Sequence, residues 1–491
     1  MDTMPGKLAQ APCHKLPTPC GAHVFARALQ RHGVELMFGQ SLPSALYLVA
    51  PEFGIRQIAY RTENAGAAMA DGYARVSRKV GVVTGQNGPA AALLVSGLSE
   101  ALKASIPIVA IVQDVRRTQT DKNAFQELDH FDLFRGCSKW VRRVSQMSRI
   151  DDYVDMAFVA AASGRPGPAV LLCPQDLLLE PAGAGAGEVR RENLGRCPLD
   201  RSVADPACIE KAAQLLANAA HPLLVAGGGV HMSGAHSELA HLQEATGIPV
   251  ATTSMGKGAV DERHPLSVGV IGYFMGARSI GKHLRGLVDE ADVILLIGNR
   301  TNQNGTDSWT LYPPTAKYIH IDIDSQEIGR NYEALRLNGD AKLTLAALDQ
   351  ALARQDLSKR REGRAAVEQR IAAARRSFAA EAQTMMHSDA VPIRPERLMF
   401  ELNKVLGPDS VVVTDASYAP IWAANYLTAQ RAGMRFLAGR GLAGLGWGLP
   451  AAIGAKLAVA GRDVFCITGD GGFAHVWSEL ETARRLDIKV I

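Results

Sequence analysis

Short apolar segments alternate with helical segments along most of this 491-residue chain. Hydrophobic periodicity near the N-terminus predicts strands at 35–38, 55–60, 80–84 and 108–112 and helices at 24–32, 44–49, 64–76 and 90–105. Strands and helices in this order form a parallel sheet that helices cover on both faces. Abundant glycine, at 47 residues, and few aromatic residues, at 6%, suit the tight strand-to-helix turns of such an α/β fold.

The alternation is interrupted twice, which divides the chain into three predicted domains. Residues 180–199 are rich in glycine, alanine and charge without periodicity, and they predict a linker. Residues 354–386 are highly charged and alanine-rich, which predicts a solvated connecting helix. We therefore expect three doubly wound parallel-sheet domains over residues 19–180, 200–352 and 390–491.

The net charge is small, since 53 Lys and Arg residues against 49 Asp and Glu residues leave +4. Nucleic-acid-binding proteins carry a clustered basic excess, so we expect no nucleic acid partner. No stretch reaches the ~20 apolar residues that a membrane helix needs, so we expect no membrane partner. Residues 1–20 contain no apolar run like that of a secretory signal, and the seven cysteines form no CxxC array. The expected location is a reducing cytoplasm.

An acidic residue within a glycine-rich turn follows the last predicted strand, at 464–468. Asp470 lies in the sequence Gly-Asp-Gly-Gly of residues 469–472, at the carboxyl end of that strand. Ligands bind at this edge of open α/β sheets. Glycines let the backbone approach a diphosphate, and a carboxylate offers an oxygen ligand to Mg²⁺. Because the pattern is short, an ordinary Asp-Gly turn is the competing interpretation.

A second acidic residue, Glu63, follows the predicted strand at 55–60 and begins a helix made mostly of small residues. The helix N-terminus favours a carboxylate at this position, and a plain helix-start acid is the commoner case. The small side chains that follow it would let another chain or a flat ligand come close.

Seven segments, taken in order and spacing, resemble the thiamine-diphosphate-dependent enzymes of the acetohydroxyacid synthase (acetolactate synthase) type. These segments are 61–75, 121–127, 137–140, 163–168, 320–324, 441–450 and 469–472. The resemblance extends from about residue 20 to residue 491. It implies an N-terminal aminopyrimidine-binding domain, a central Rossmann-like domain and a C-terminal diphosphate-binding domain.

The resemblance also implies roles for individual residues. Glu63 would bond the aminopyrimidine ring of the cofactor, and Asp470 would hold the Mg²⁺ that bridges to the diphosphate. The backbone of Ala443 would meet the aminopyrimidine amine, and Leu445 would bend the cofactor between its two rings. The remaining cofactor-binding positions are Ser417, Tyr418, Gly469, Gly471 and Gly472. Gly39, Gln126 and Lys139 match positions that face the reacting substrate.

In synthases of this type the central domain holds FAD in a non-redox role, and the site lies between subunits. Arg165, Asp322, Asp324 and residues 269–277 match flavin-contacting segments, so we expect FAD. Relatives with the same fold that bind ADP or nothing keep those alternatives open. The shared site implies a homodimer or a homotetramer.

The sequence departs from the family pattern in three places. Residues 39–43 replace a Gly-aromatic-Pro-Gly turn, of which Gly39 alone is kept, and residues 416–420 replace a polar Gly-Gln-His-Gln stretch. The asparagine pair that supplies a second Mg²⁺ ligand in the family is absent from the residues after Gly471. We therefore expect that the chain is a C-terminally truncated piece of a longer protein, with weak cofactor binding and little activity.

The preferred functional hypothesis is decarboxylation of a 2-oxo acid, such as pyruvate, and carboligation to a second 2-oxo acid. One alternative is simple decarboxylase or lyase chemistry on a 2-oxo acid or an acyl-CoA. Another is a non-catalytic fragment or binding subunit that keeps the fold. A nicotinamide dehydrogenase is disfavoured because residues 227–229 lack the glycine spacing that such enzymes require.

Overall fold

The computed structural model describes residues 19–183 and 190–491 of the chain. They form three separate sheets, and every strand pairing within these sheets is parallel. The predicted α/β class with three parallel-sheet domains is therefore confirmed. Residues 184–189 of the predicted linker lie outside the described part. None of the helices in the described ranges has the length and apolar character needed to cross a membrane.

The N-terminal sheet contains six strands: β1 (Leu36–Phe38), β2 (Arg56–Ile58), β3 (Gly81–Gly85), β4 (Ile108–Asp114), β5 (Trp140–Arg143) and β6 (Pro168–Pro174). Its helices are α1 (Gly21–Arg31), α2 (Ser44–Val49), α3 (Glu63–Ser77), α4 (Pro89–Ala104), α5 (His130–Arg135), α6 (Ile150–Ala162) and α7 (Gln175–Leu179). The strand order is β2-β1-β3-β4-β6-β5. Strand β2 lies on one side of β1, and the strands that follow β2 in the chain lie on the other side. This reversal opens a crevice between the carboxyl ends of β1 and β3.

The central sheet also contains six strands: β7 (Pro222–Ala226), β8 (Val250–Thr252), β9 (Ser267–Val270), β10 (Val293–Ile297), β11 (Lys317–Asp322) and β12 (Ala334–Asn338). Its helices are α8 (Pro206–Asn218), α9 (Gly228–Ser233), α10 (His236–Thr246), α11 (Ile280–Asp289) and α12 (Ala341–Leu352). The order β12-β11-β10-β7-β8-β9 puts the corresponding crevice between β7 and β10.

The third sheet contains β13 (Val411–Thr414), β14 (Arg435–Ala438) and β15 (Val464–Ile467), in the order β14-β13-β15. The long helix α13 (Ser358–Met386) leads into this domain, in agreement with the predicted connecting helix. Its other helices are α14 (Pro395–Val405), α15 (Ala419–Tyr426), α16 (Gly448–Ala458), α17 (Asp470–Ala474) and α18 (Glu479–Arg485). The crevice of this sheet lies between β13 and β15.

Helices α3 and α16 join the first domain to the third through glycine contacts. A Cβ added at Gly454 would lie 1.9 Å from the carbonyl oxygen of Met69, and one added at Gly72 would lie 2.1 Å from that of Ala451. Positions further along α3 therefore meet earlier positions of α16, so the two helices run antiparallel. At about 1.5 Å per residue, Glu63 lies about 18 Å along α3 from the end that meets the start of α16.

We predict that Gly454→Ala lowers the free energy of unfolding by about 1–3 kcal/mol, because the added methyl must push α3 away from α16. The matched control is Gly363→Ala in α13, where a Cβ meets nothing within 4 Å. That substitution should raise stability by about 0.5–1 kcal/mol through helix propensity. The free energies of unfolding of both variants are measured by urea denaturation. Equal values for the two variants would contradict the close packing of α3 on α16.

Candidate functional site

The predicted substrate-facing glycine, Gly39, lies directly after β1 in the N-terminal crevice. Its amide donates to the Ile58 carbonyl at 3.0 Å, and its own carbonyl accepts from the Tyr47 hydroxyl at 2.7 Å. A Cβ here would lie 1.9 Å from Oγ1 of Thr84, which is on β3. A larger residue at this position would have to displace the Thr84 side chain, so the close approach of the β1 and β3 ends favours glycine.

Gln126 reaches the same crevice from the loop after β4. Its side-chain oxygen accepts a hydrogen bond from Nε2 of Gln86 at 2.6 Å, and its carbonyl accepts from Nδ2 of Asn87 at 2.9 Å. Its backbone is left-handed, with φ of 61°. The loop is thus held against the end of β3, where Gln126 and Gly39 lie on neighbouring strand ends.

Glu63 is the first residue of α3 and is half-buried. Within the described residues its carboxylate has no hydrogen-bond or ion-pair partner. The preceding backbone is anchored by the third domain, because the amides of Arg61 and Thr62 donate to Oε1 of Glu479 at 2.9 and 3.1 Å. Burial raises the pKa of Glu479. The structure thus fixes the start of α3 and leaves the Glu63 carboxylate available to a ligand.

Lys139, by contrast, does not join Gly39, Glu63 and Gln126. Its Nζ donates to the carbonyls of Ala160 and Ser163, at 2.6 and 3.0 Å, where α6 ends. A cation is favoured at the carboxyl end of a helix. Desolvation at this position lowers the pKa of Lys139 to about 8.

In the third domain a buried carboxylate, Asp415, organises the crevice beside β13. It accepts hydrogen bonds from the amides of Ala416 (2.7 Å), Gly446 (3.1 Å) and Trp447 (3.2 Å) and from the hydroxyl of Thr468 (3.2 Å). A Cβ at Gly472 would lie 2.2 Å from its Oδ2. Asp415 was not among the predicted site residues, although it follows an apolar strand just as Asp470 does. Its bonds bring together the three loops that follow β13, β14 and β15.

Those three loops carry the residues predicted to bind the cofactor. Ser417 and Ala443 have left-handed backbones, with φ of 68° and 60°. Tyr418 and Leu445 are 72% and 50% exposed at the rim. The side chains of Tyr418 and Leu445 are therefore exposed beside the crevice and are not packed into the core of the domain.

Asp470 begins α17, is exposed, and accepts the amide of Gly471 at 2.8 Å. A Cβ at Gly469 or Gly471 would meet nothing within 4 Å, so the backbone here is open to a ligand. No cluster of three or more potential metal-ligating side chains occurs among the described residues. A single carboxylate fits Mg²⁺, which commonly completes its shell with phosphate and water oxygens. Asp470 and the open backbone of the neighbouring glycines therefore fit a Mg²⁺ ion bound to a diphosphate.

A cavity lies at the crevice of the central sheet. Its floor includes Gly227 and Gly298, which follow β7 and β10 and pack so closely that a Cβ at Gly227 would lie 2.2 Å from the Gly298 carbonyl. Arg165 lines the cavity from the N-terminal domain, and Asp322 lines it from the end of β11. Asp324 and residues 269–277, also matched to flavin contacts, are not part of its lining.

The charged groups of this cavity are partly paired. The guanidinium of Arg165 lies 3.1 Å from Glu327 and 3.6 Å from Asp324. Asp322 accepts the amide of Asp324 at 2.9 Å, and its burial raises its pKa to about 6. Glycine backbone and strand-end acids at a switch point fit the phosphate and ribose of a nucleotide.

Known protein families match all three domains. The N-terminal TPP binding domain of thiamine pyrophosphate enzymes matches residues 20–133, the central domain matches 209–348, and the C-terminal TPP binding domain matches 415–491. A probable acetolactate synthase large subunit of Methanococcus aeolicus is 35% identical over 96% of this chain and 79% of its own. The acetolactate synthase of Arthrospira platensis is 34% identical, over 96% and 80%. The acetolactate synthase isozyme 2 large subunit of Escherichia coli is 32% identical, over 96% and 82%. The chain belongs to the thiamine pyrophosphate enzymes of the acetolactate synthase large-subunit type, the family that its seven sequence segments predict.

Proposed function

We propose that this chain uses thiamine diphosphate and Mg²⁺ to decarboxylate a 2-oxo acid and to join the remaining two-carbon unit to a second 2-oxo acid. The observation that carries the proposal is the convergence of three loops on Asp415, which groups the predicted diphosphate, metal and aminopyrimidine contacts in one crevice. The relatives named acetolactate synthase, which align over 96% of the chain, favour carboligation over simple decarboxylation.

Bound thiamine diphosphate supplies a nucleophilic carbon and an electron sink for the pair released with CO₂. Asp470 would hold the metal, and the open backbone at Gly469 and Gly471 would admit the diphosphate. The half-buried Glu63 carboxylate would share a proton with a ring nitrogen, since nothing in the described chain competes for it. Gln126 and Gly39, on the same edge as Glu63, would border the 2-oxo acid, whereas Lys139 precedes β5 and lies at the opposite edge of the sheet.

The packing of α3 on α16 supports a site made by two copies of the chain. Within one copy, Glu63 lies about 18 Å along α3 from the end that meets Trp447 and the cofactor loops. Large hydrophobic side chains are also exposed in both domains: Tyr418, Leu445 and Trp477 in the third and Leu93 and Phe125 in the first. Exposed apolar groups concentrated beside a site mark an interface. We therefore propose a homodimer, or a homotetramer of two such pairs.

We also propose that the central cavity binds FAD, with ADP as the alternative. The close-packed glycines that line the cavity and its position at the β7–β10 switch point support a nucleotide. Asp322 would accept hydrogen bonds from ribose hydroxyls, and Arg165 would face the diphosphate.

A cytoplasmic location is the last part of the proposal. The six described cysteines are free thiols, and four of them are buried. Burial raises the pKa of Cys137 to about 11 and that of Cys197 to about 12, so these thiols stay protonated and unreactive. Free thiols in this number are typical of a reducing compartment.

The reaction is tested by incubating the chain with pyruvate, thiamine diphosphate and Mg²⁺ and identifying the product. Acetolactate is expected, acetaldehyde would instead support the decarboxylase alternative, and no product would support a non-catalytic chain.

Glu63→Gln should lower kcat by about 10²-fold or more through loss of proton transfer. The matched control is Glu52→Gln, an exposed acid of the same domain, which should leave kcat unchanged. An unchanged rate in Glu63→Gln would remove the role assigned to that carboxylate.

The cavity ligand is tested by titrating FAD and ADP against the cofactor-free chain at several pH values. A ribose hydroxyl that donates to Asp322 favours its ionised form, so affinity should fall as the pH drops through about 6. Asp322→Asn should weaken binding by about tenfold at neutral pH and flatten the pH dependence. Wild-type affinity that does not change across this range would contradict the role of Asp322.

A further inference from the structure

A buried carboxylate of the N-terminal domain holds the loop that carries Ala443. Glu100, near the end of α4, is 4% exposed. Its Oε1 accepts the amide of Gly441 at 2.7 Å, and its Oε2 accepts the amides of Leu442 and Ala443 at 2.6 and 3.2 Å. Three consecutive backbone donors of the third domain therefore converge on one side chain of the first.

Charged side chains surround the Glu100 carboxylate and help to hold it beside the Gly441–Ala443 loop. Arg75, on α3, lies 2.5 Å from Asp71 through its Nε and 3.5 Å from Glu100 through its Nη2, so two buried carboxylates share one guanidinium. The same guanidinium donates to the Ala438 carbonyl at 2.9 Å and lies 4.7 Å from the ring of Trp447. Burial raises the pKa of Asp71. The positive charge of Arg440 also acts on Glu100, and the three loop amides complete the hydrogen bonds of its carboxylate.

The loop is fixed by this contact in position and in conformation. A Cβ at Gly441 would lie 2.4 Å from the Glu100 carbonyl, so the backbones of the two domains touch. Ala443 has a left-handed backbone, with φ of 60°, which is strained for a residue with a side chain. Withdrawal of the loop would remove three donors from the buried Glu100 carboxylate and leave it the guanidinium of Arg75, which it shares with Asp71, and this is costly for a charged group. The hydrogen bonds to Glu100 thus maintain a backbone conformation that Ala443 would not adopt unaided.

We propose that Glu100 is a positioning residue that sets the Gly441–Ala443 backbone to receive the aminopyrimidine ring of thiamine diphosphate. The proposal rests on the function proposed above. Glu100 acts through Ala443 and does not itself touch the cofactor. The first domain of each copy would then contribute twice, with Glu63 to the ring of one site and with Glu100 to the loop of the other.

The hold on the loop is tested without cofactor by amide hydrogen exchange. In Glu100→Ala the amides of Gly441, Leu442 and Ala443 should exchange at least about tenfold faster, while α16 keeps its protection. Glu100→Gln, which keeps one acceptor oxygen, should give an intermediate rate and serves if the alanine variant fails to fold. The control is Glu362→Gln on an exposed face of α13. Unchanged exchange in both Glu100 variants would overturn the proposal.

The consequence for the cofactor is tested by titrating thiamine diphosphate with Mg²⁺ and recording the near-ultraviolet circular dichroism of the bound aminopyrimidine. Glu100→Ala should lower the affinity by about tenfold or more and weaken the dichroic signal, with Glu100→Gln between it and wild type. Faster exchange with unchanged affinity and signal would also overturn the positioning role. If wild type itself binds no thiamine diphosphate, the proposed function fails and the positioning role fails with it, whereas the exchange result still decides whether Glu100 holds the loop.

Discussion

The close contact between α3 and α16 determines how a catalytic site can be made from this chain. Gly72 and Gly454 let the two helix backbones meet without intervening side chains. Since the helices are antiparallel, Glu63 and the loop before α16 lie at opposite ends of the pair. The N-terminal domain consequently supports the loop at 441–443 of its own chain through Glu100 and Arg75, while its Glu63 lies at the other end of α3. A second copy of the chain would be the natural source of the missing carboxylate.

All three domains have a crevice at the carboxyl edge of a parallel sheet, and the crevices differ in the residues that line them. Each sheet is parallel, and in each the chain adds strands first on one side of the starting strand and then on the other. A crevice therefore opens in each sheet between the carboxyl ends of the two strands where the direction reverses. In the first domain this edge presents a carboxylate and polar loop groups, in the second a cavity with glycine walls, and in the third an exposed acid among glycines. The sheets supply similar scaffolds, and the residues that follow the strands supply the difference in chemistry.

Much of the fold could be predicted from local sequence, because long apolar runs such as those at 293–297 and 411–414 coincide with β10 and β13. Strands β5, β8, β9, β12 and β14 were not predicted, since polar, charged or glycine residues interrupt their apolar runs. Motif residues such as Asp470 could be found because their signal lies within a few positions. Asp415 also follows an apolar strand, but its role depends on Gly446, 31 positions away, and Glu100 could not be found because its loop partners begin 341 positions away. The substrate-facing role of Lys139 remains a prediction, since helix capping at α6 occupies its Nζ.

The central claim is that each site combines Glu63 of one copy with the Asp470 loop of another, and complementation between two inactive variants tests it most directly. Glu63→Gln and Asp470→Asn chains would be prepared separately, then unfolded and refolded together with thiamine diphosphate, Mg²⁺ and pyruvate. In a shared-site dimer, half of the random pairs are mixed and each mixed pair has one intact site, so activity should recover to about one quarter of wild type. If mixed dimers form and activity stays at the level of the separate variants, each site takes both residues from the same chain, and the account is wrong.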